Sequence, residues 1–124
     1  MSRRVIQNYE FPRAGSYETA AVDGANIRHA RGTDSFDEYC ILSTTGEVRI
    51  FASLDGETFM AKQLILSQEP PNSGDTVSSQ DPVYVGKTTA GVPAWFYGNY
   101  KAIRIQQVGA TAAIGILSAS GEKP

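Results

Sequence analysis

The chain has 124 residues, 41% of them hydrophobic, and carries 11 Lys and Arg against 13 Asp and Glu, a net charge of -2. That length predicts one domain with a core of its own, because a chain of this size buries roughly two-thirds of the surface its unfolded form exposes. The near balance of charge leaves no overall footprint for nucleic acid. Cys40 is the only cysteine and His29 the only histidine, which excludes an intrachain disulfide and a four-ligand Cys/His zinc site.

No apolar run approaches the ~20 residues of a membrane-spanning helix, and the opening Met-Ser-Arg-Arg is not followed by the apolar stretch of a signal peptide. Soluble synthesis in a cytoplasm, with no membrane partner, is the expectation. Residues 1 to 15 mix Val5, Ile6, Tyr9 and Phe11 with Arg3, Arg4 and Arg13 and end on Pro12 and Gly15. This reads as a basic extended arm or edge strand.

Tyr17 to Val22 and Ile27 to Ala30 are short extended segments around the turn formers Asp23-Gly24-Ala25-Asn26, a first hairpin. Tyr39-Cys40-Ile41-Leu42 is a continuous apolar run, the pattern of a central strand covered on both faces. From Glu47 the chain alternates, with Val48, Ile50 and Ala52 on one side and Glu47, Arg49 and Ser53 on the other. Phe51 is the exception on the polar side. Asp55-Gly56 reverses the chain, and a return strand is expected from Phe59 to about Leu66.

Ser67 to Pro82 is too polar and too rich in turn formers for a regular element and reads as a long surface loop. Loops of that length usually carry function, so it is a first place for a partner contact. After a short strand at Val83 to Val85, Trp95, Phe96, Tyr97 and Tyr100 place four of the chain's twelve aromatic residues within six positions. One strand face cannot hold them all, so some must reach a rim or an interface. Lys101 to Gln107 alternates with Ile103 and Ile105 inward and Ala102, Arg104 and Gln106 outward. Thr111 to Ser118 sets Ala112, Ile114 and Ile116 on one face, and Ala119 to Pro124 reads as a loose tail.

No segment has helical periodicity. Eight or nine short strands with turn signals every eight to twelve residues predict an all-β antiparallel sandwich, jelly-roll or discoidin-like, over residues 16 to 118.

Chemistry-bearing residues are sparse. His29 is the one candidate general base, and it would need Cys40, a Ser or a carboxylate within hydrogen-bond reach. Cys40, in an apolar strand, reads as a small buried hydrophobe. Asp34, Asp37 and Glu38 form a carboxylate cluster of the kind that can hold calcium, but their spacing matches no defined calcium loop, so a solvated acidic turn is the simpler reading. No cofactor and no catalytic residue are predicted.

The pattern Ser53-Leu54-Asp55-Gly56-Glu57-Thr58-Phe59, a long loop, then Tyr100-Lys101-Ala102-Ile103-Arg104-Ile105 resembles discoidin-like β-sandwiches and also small virion proteins of tailed bacteriophages, over roughly residues 47 to 118. The first resemblance implies a carbohydrate-binding module stacking sugars on Trp95, Tyr97 or Tyr100. The second implies a non-enzymatic capsid decoration, cement or tail-associated protein. Its partners would be the major capsid or other virion proteins, and it would form a homo-oligomer. A short, stand-alone chain with one cysteine fits the virion resemblance better. It makes Arg3, Arg4, Tyr9, Phe11, Arg13, Phe51, Trp95, Tyr97 and Tyr100 the expected interface.

Overall fold

Alternation between buried and half-buried positions runs through most of the longer strands, and it sorts them into two sheets with one core between. A computed structural model describes residues 4–11, 18–19, 26–69, 84–109 and 113–122, with backbone alone at 4, 18, 19, 26 and 122. Its strands are β1 (Arg4–Phe11), β2 (Glu18–Thr19), β3 (Asn26–Arg31), β4 (Glu38–Thr45), β5 (Glu47–Ser53), β6 (Met60–Ala61), β7 (Leu64–Leu66), β8 (Tyr84–Val85), β9 (Ala94–Tyr97), β10 (Ala102–Val108) and β11 (Ile114–Glu122). A single 3-10 turn, Thr33–Ser35, stands between β3 and β4.

Sheet A has the order β1-β11-β4-β9-β7-β8 and sheet B the order β2-β3-β10-β5-β6, and every pairing is antiparallel. With β6 and β7 taken as two halves of one strand, and the short β2 and β8 set aside, eight strands remain. In sheet A the first pairs with the last, the last with the third and the third with the sixth. In sheet B the second pairs with the seventh, the seventh with the fourth and the fourth with the fifth. This is jelly-roll connectivity. The all-β sandwich expected from the sequence is the observed fold.

The hairpin around Asp55-Gly56 forms, with Phe51 opposite Ala61 and Ala52 opposite Met60. Its return strand does not run unbroken to Leu66. After two residues the chain leaves sheet B, and Leu64–Leu66 pairs with β8 and β9 in sheet A. Of the hairpin expected over Tyr17 to Ala30, Glu18–Thr19 pairs with β3, while Tyr17 and residues 20 to 25 lie outside the described residues. β4 is central, between β11 and β9, but only one of its faces is covered. Tyr39, Ile41 and Ser43 are buried while Cys40 and Leu42 are half-buried, because among the described residues nothing packs over the outer side of sheet A.

Of the two forms expected for the first segment, arm or edge strand, the edge strand is observed: residues 4 to 11 pair with β11 along their whole length, and Phe11 is a core residue. The last strand runs on to Glu122, where a loose tail from Ala119 was expected; Lys123 and Pro124 lie outside the described residues.

The face of β11 that carries Ile114 and Ile116 is its outer one. Ala113, Gly115, Leu117 and Ala119 point inward, while Ile114 and Ile116 face out. The reason is steric. The inward side of β11 lies against large neighbours, Phe11 opposite Gly115 and Tyr39 opposite Ala119, and a Cβ at Gly115 would strike the Leu42 carbonyl oxygen and the Phe11 ring. At positions 115 and 119 small residues are what this face of the strand can hold. Gly115→Ala is expected to lower stability by about 3 kcal/mol or more, read as a reduced denaturant midpoint with an unchanged slope, because the backbone of β4 cannot move aside cheaply.

Candidate functional site

Three places carry groups that the core does not absorb: the Asp55 turn with the outer side of sheet B, the end of the sandwich around Tyr39, and the outer side of sheet A.

In the turn, the Asp55 carboxylate oxygen Oδ1 accepts from the backbone N–H of Glu57 and Thr58 and from the Ser53 hydroxyl, each at 2.8 Å. Ser53 Oγ in turn accepts from the Gly56 N–H at 2.8 Å. Gly56 takes φ 89°, the left-handed conformation that favours glycine. The Ser-x-Asp-Gly motif is therefore a self-contained folding device. It brings Phe59 back over sheet B, where the Arg104 guanidinium lies 4.1 Å from the Phe59 ring centroid and donates from Nε to His29 Nε2 at 3.1 Å. The His29 and Phe59 rings are 5.4 Å apart. Register sets Arg104 between His29 and Phe51, so these three lie in one row on the outer face of sheet B.

The N–H donors of Thr58 and Glu57, with the Ser53 hydroxyl, hold the Asp55 carboxyl well below the usual carboxylate range. A carboxyl more acidic in the fold than in the unfolded chain contributes stability above its unfolded pKa of about 3.9, and that contribution is lost as pH falls toward the folded value. In thermal melts from pH 7 down to about pH 2, Asp55→Ala should be less stable than the parent at neutral pH, with the gap narrowing on acidification. A gap independent of pH would contradict the ionic role of the carboxylate.

At the end of the sandwich the Tyr39 hydroxyl lies 2.9 Å from the Thr33 carbonyl oxygen and 3.2 Å from that of Phe36, and it accepts from the Tyr100 N–H at 3.4 Å. Its ring stacks on Phe96 at 4.8 Å, and Tyr100 packs tilted at 6.0 Å. Burial pushes the Tyr39 phenol up to about 12.

On the outer side of sheet A, register draws one continuous row across six strands: Asn8, Ser118, Cys40, Trp95, Ile65 and Tyr84. Beside it runs Glu10, Ile116, Leu42, and on the other side Ile6, Ser120, Glu38, Tyr97. Ile6 is 66% exposed, Tyr84 58%, Ile114 49% and Ile116 40%. The Trp95 indole N–H donates to the Ser67 carbonyl at 2.8 Å, which fixes the ring on this face.

The expected interface residues therefore divide. Trp95 and Tyr97 share the outer side of sheet A, and Phe51 stands on the outer side of sheet B. Tyr100 packs against the core, and its hydroxyl donates to the Tyr97 carbonyl at 3.1 Å. Tyr9 is half-buried against the core and Phe11 is within it. Arg3, Arg13 and residues 70 to 82 of the expected loop lie outside the described residues, as does the side chain of Arg4. Asp34 and Asp37 are exposed and Glu38 faces out from β4. Among the described residues, no three His, Cys, Asp or Glu side chains gather as a metal set.

His29 and Cys40 stand on opposite outer sides of the sandwich, with the core between them, so they do not form a nucleophile and base pair. The exposed apolar face of sheet A was missed by strand-by-strand reading. Its signal lay in Ile114 and Ile116, which share one face of their strand, and in Leu42, read as covered on both sides. Cys40 is half-buried there, and burial, with a smaller contribution from Glu38, pushes its thiol up to about 11. At pH 8 roughly one thiol in a thousand is then ionised. Alkylation of the native protein by iodoacetamide should be far slower than that of a free thiol and should climb about tenfold per pH unit between pH 8 and 10, as mass spectrometry would read.

The fold and these surfaces define a small jelly-roll β-sandwich. Among the described residues no helix is long and apolar enough to cross a membrane. No protein-family model and no curated protein matches the chain. Among solved structures it is similar to the SPBc2 prophage-derived protein YomS, with a TM-score of 0.60 over 98% of this chain and 97% of that one at 12% identity. The likeness is one of fold, from end to end of both chains.

Proposed function

We propose that the chain is a non-enzymatic structural protein of a tailed-phage virion, a capsid decoration, cement or other head or tail component that holds neighbouring virion subunits. The observation that carries this reading is the outer side of sheet A. Ile6, Ile114, Ile116, Leu42, Ile65, Trp95 and Tyr84 lie on one side of a single sheet, and contiguous exposed apolar surface marks an interaction site. The end-to-end likeness of fold to a prophage-derived protein supports a phage setting for the domain. Trp95 and Tyr97 supply aromatic area at low entropic cost, as protein interfaces favour.

The carbohydrate reading keeps Trp95 and Tyr97 on one face but loses Tyr100, whose ring packs on Tyr39, so the three do not make one stacking platform. The deciding experiment tests the sheet face directly. Purified phage particles should contain the protein by mass spectrometry. Ile116→Lys should leave stability within about 0.5 kcal/mol of the parent, as exposed substitutions do, while abolishing particle association. Particles lacking the protein, together with specific glycan-array binding that Trp95→Ala removes, would favour the sugar-binding alternative.

A further inference from the structure

Sheet edges expose unpaired backbone N–H and C=O groups, and proteins blunt them with short strands, Pro, Lys or bulges. Among the described residues three of the four edges follow that rule, since β8, β2 and β6 are two residues long there. The fourth does not. β1 is an eight-residue strand paired with β11 along its whole length without a register shift, and its sequence Arg-Val-Ile-Gln-Asn-Tyr-Glu-Phe holds neither Pro nor Lys. Val5 and Ile6 on it are exposed, and among the described residues no element pairs with its outer edge.

We infer that β1 is the edge by which two copies of this chain pair, antiparallel about a two-fold axis at Gln7, fusing their A sheets into one. The register follows from the side-chain period of two. Two sandwiches side by side must match inner face to inner face, so residues opposite one another have the same parity. Centred on Gln7, that register sets Val5 opposite Tyr9 of the second copy and Ile6 opposite Asn8. It also places residues 4 and 10, an arginine and a glutamate in the sequence, opposite each other twice. Opposite charges across antiparallel strands favour the pairing. A two-fold contact uses the same surface on both copies and closes on itself, which removes both exposed edges at once. The fused sheet joins the outer faces of the two A sheets across the row Ile6, Asn8 and Glu10. A second copy is favoured over a foreign strand because, among the registers its faces allow, the one centred on Gln7 sets this strand's opposite charges against each other.

The test is the mass in solution together with a register-specific cross-link. Light scattering of the intact chain across a dilution series should give twice 13.4 kDa at the concentrated end. In a Cys40→Ser background, Gln7→Cys should be captured as a covalent dimer by a short bifunctional maleimide. Glu57→Cys, exposed on the turn over sheet B, should not. Both altered positions are exposed, so folding is expected to survive and is checked by circular dichroism. A monomer at every concentration, or a dimer that cross-links at Glu57→Cys as well as at Gln7→Cys, overturns the inference.

Discussion

Two crossings of the chain between the sheets, β3 to β4 and β9 to β10, meet at the hydroxyl of Tyr39. From β4 it reaches the carbonyl oxygens of Thr33 and Phe36 on the first crossing and takes the N–H of Tyr100 on the second. Around it the crossings bind each other directly. Thr33 Oγ1 donates to the Tyr100 carbonyl, the Gly32 N–H to that of Lys101, the Gly98 N–H to that of Asp37, and the Asn99 amide to that of Phe36. Each of these bonds satisfies at least one backbone donor or acceptor at a sheet end, where an unmade bond costs about 1–3 kcal/mol if the group is buried. The jelly-roll connectivity needs both crossings at the same end, and this knot satisfies their polar groups while Tyr39 and Phe96 fill the space beneath.

That end explains what was legible in the sequence and what was not. The strands with strict alternation and large residues inward, β5 and β10, could be placed by period alone, and Asp55-Gly56 fixed the turn between β5 and its return. The break between β6 and β7 is invisible to periodicity, because two residues cannot define a period and a strand that changes sheets keeps its apolar character. The outer face of β11 was hidden for a different reason. Hydrophobicity puts Ile114 and Ile116 inward, but Gly115 and Ala119 sit opposite Phe11 and Tyr39, and the core has room there only for small side chains. The choice of face was decided by partner volume, which one strand's sequence does not contain. Of the surfaces, the aromatic surplus after Ala94 was readable as a count; its division among an outer face, the core and the Tyr39 knot required the pairing.

The two outer faces of the sandwich are treated differently by the chain itself. On sheet B the Asp55 turn folds back and lays Phe59 against His29 and Arg104, so an arginine that would otherwise stand alone on a strand is packed and hydrogen-bonded. Phe51, odd when read as a member of a polar face, stands between Arg104 and Ala61 in the same row. The turn that follows β5 thus supplies, through Phe59, the cover for His29 and Arg104 on this face.

Sheet A receives no such cover from the described residues, although it is the wider sheet and holds the more apolar outer row. Burying that row would gain roughly 25 cal/mol for each Å² of apolar surface removed from water. Among the described residues the chain folds a turn over one face and presents isoleucines on the other. The same asymmetry appears along the perimeter of the described strands, where short strands end three edges and a full-length strand ends the fourth. The exposed edge and the exposed face belong to one sheet and meet at Ile6, which lies on both. Contacts made there would build on each other: a partner strand along β1 would extend the platform on which Ile116 and Trp95 stand.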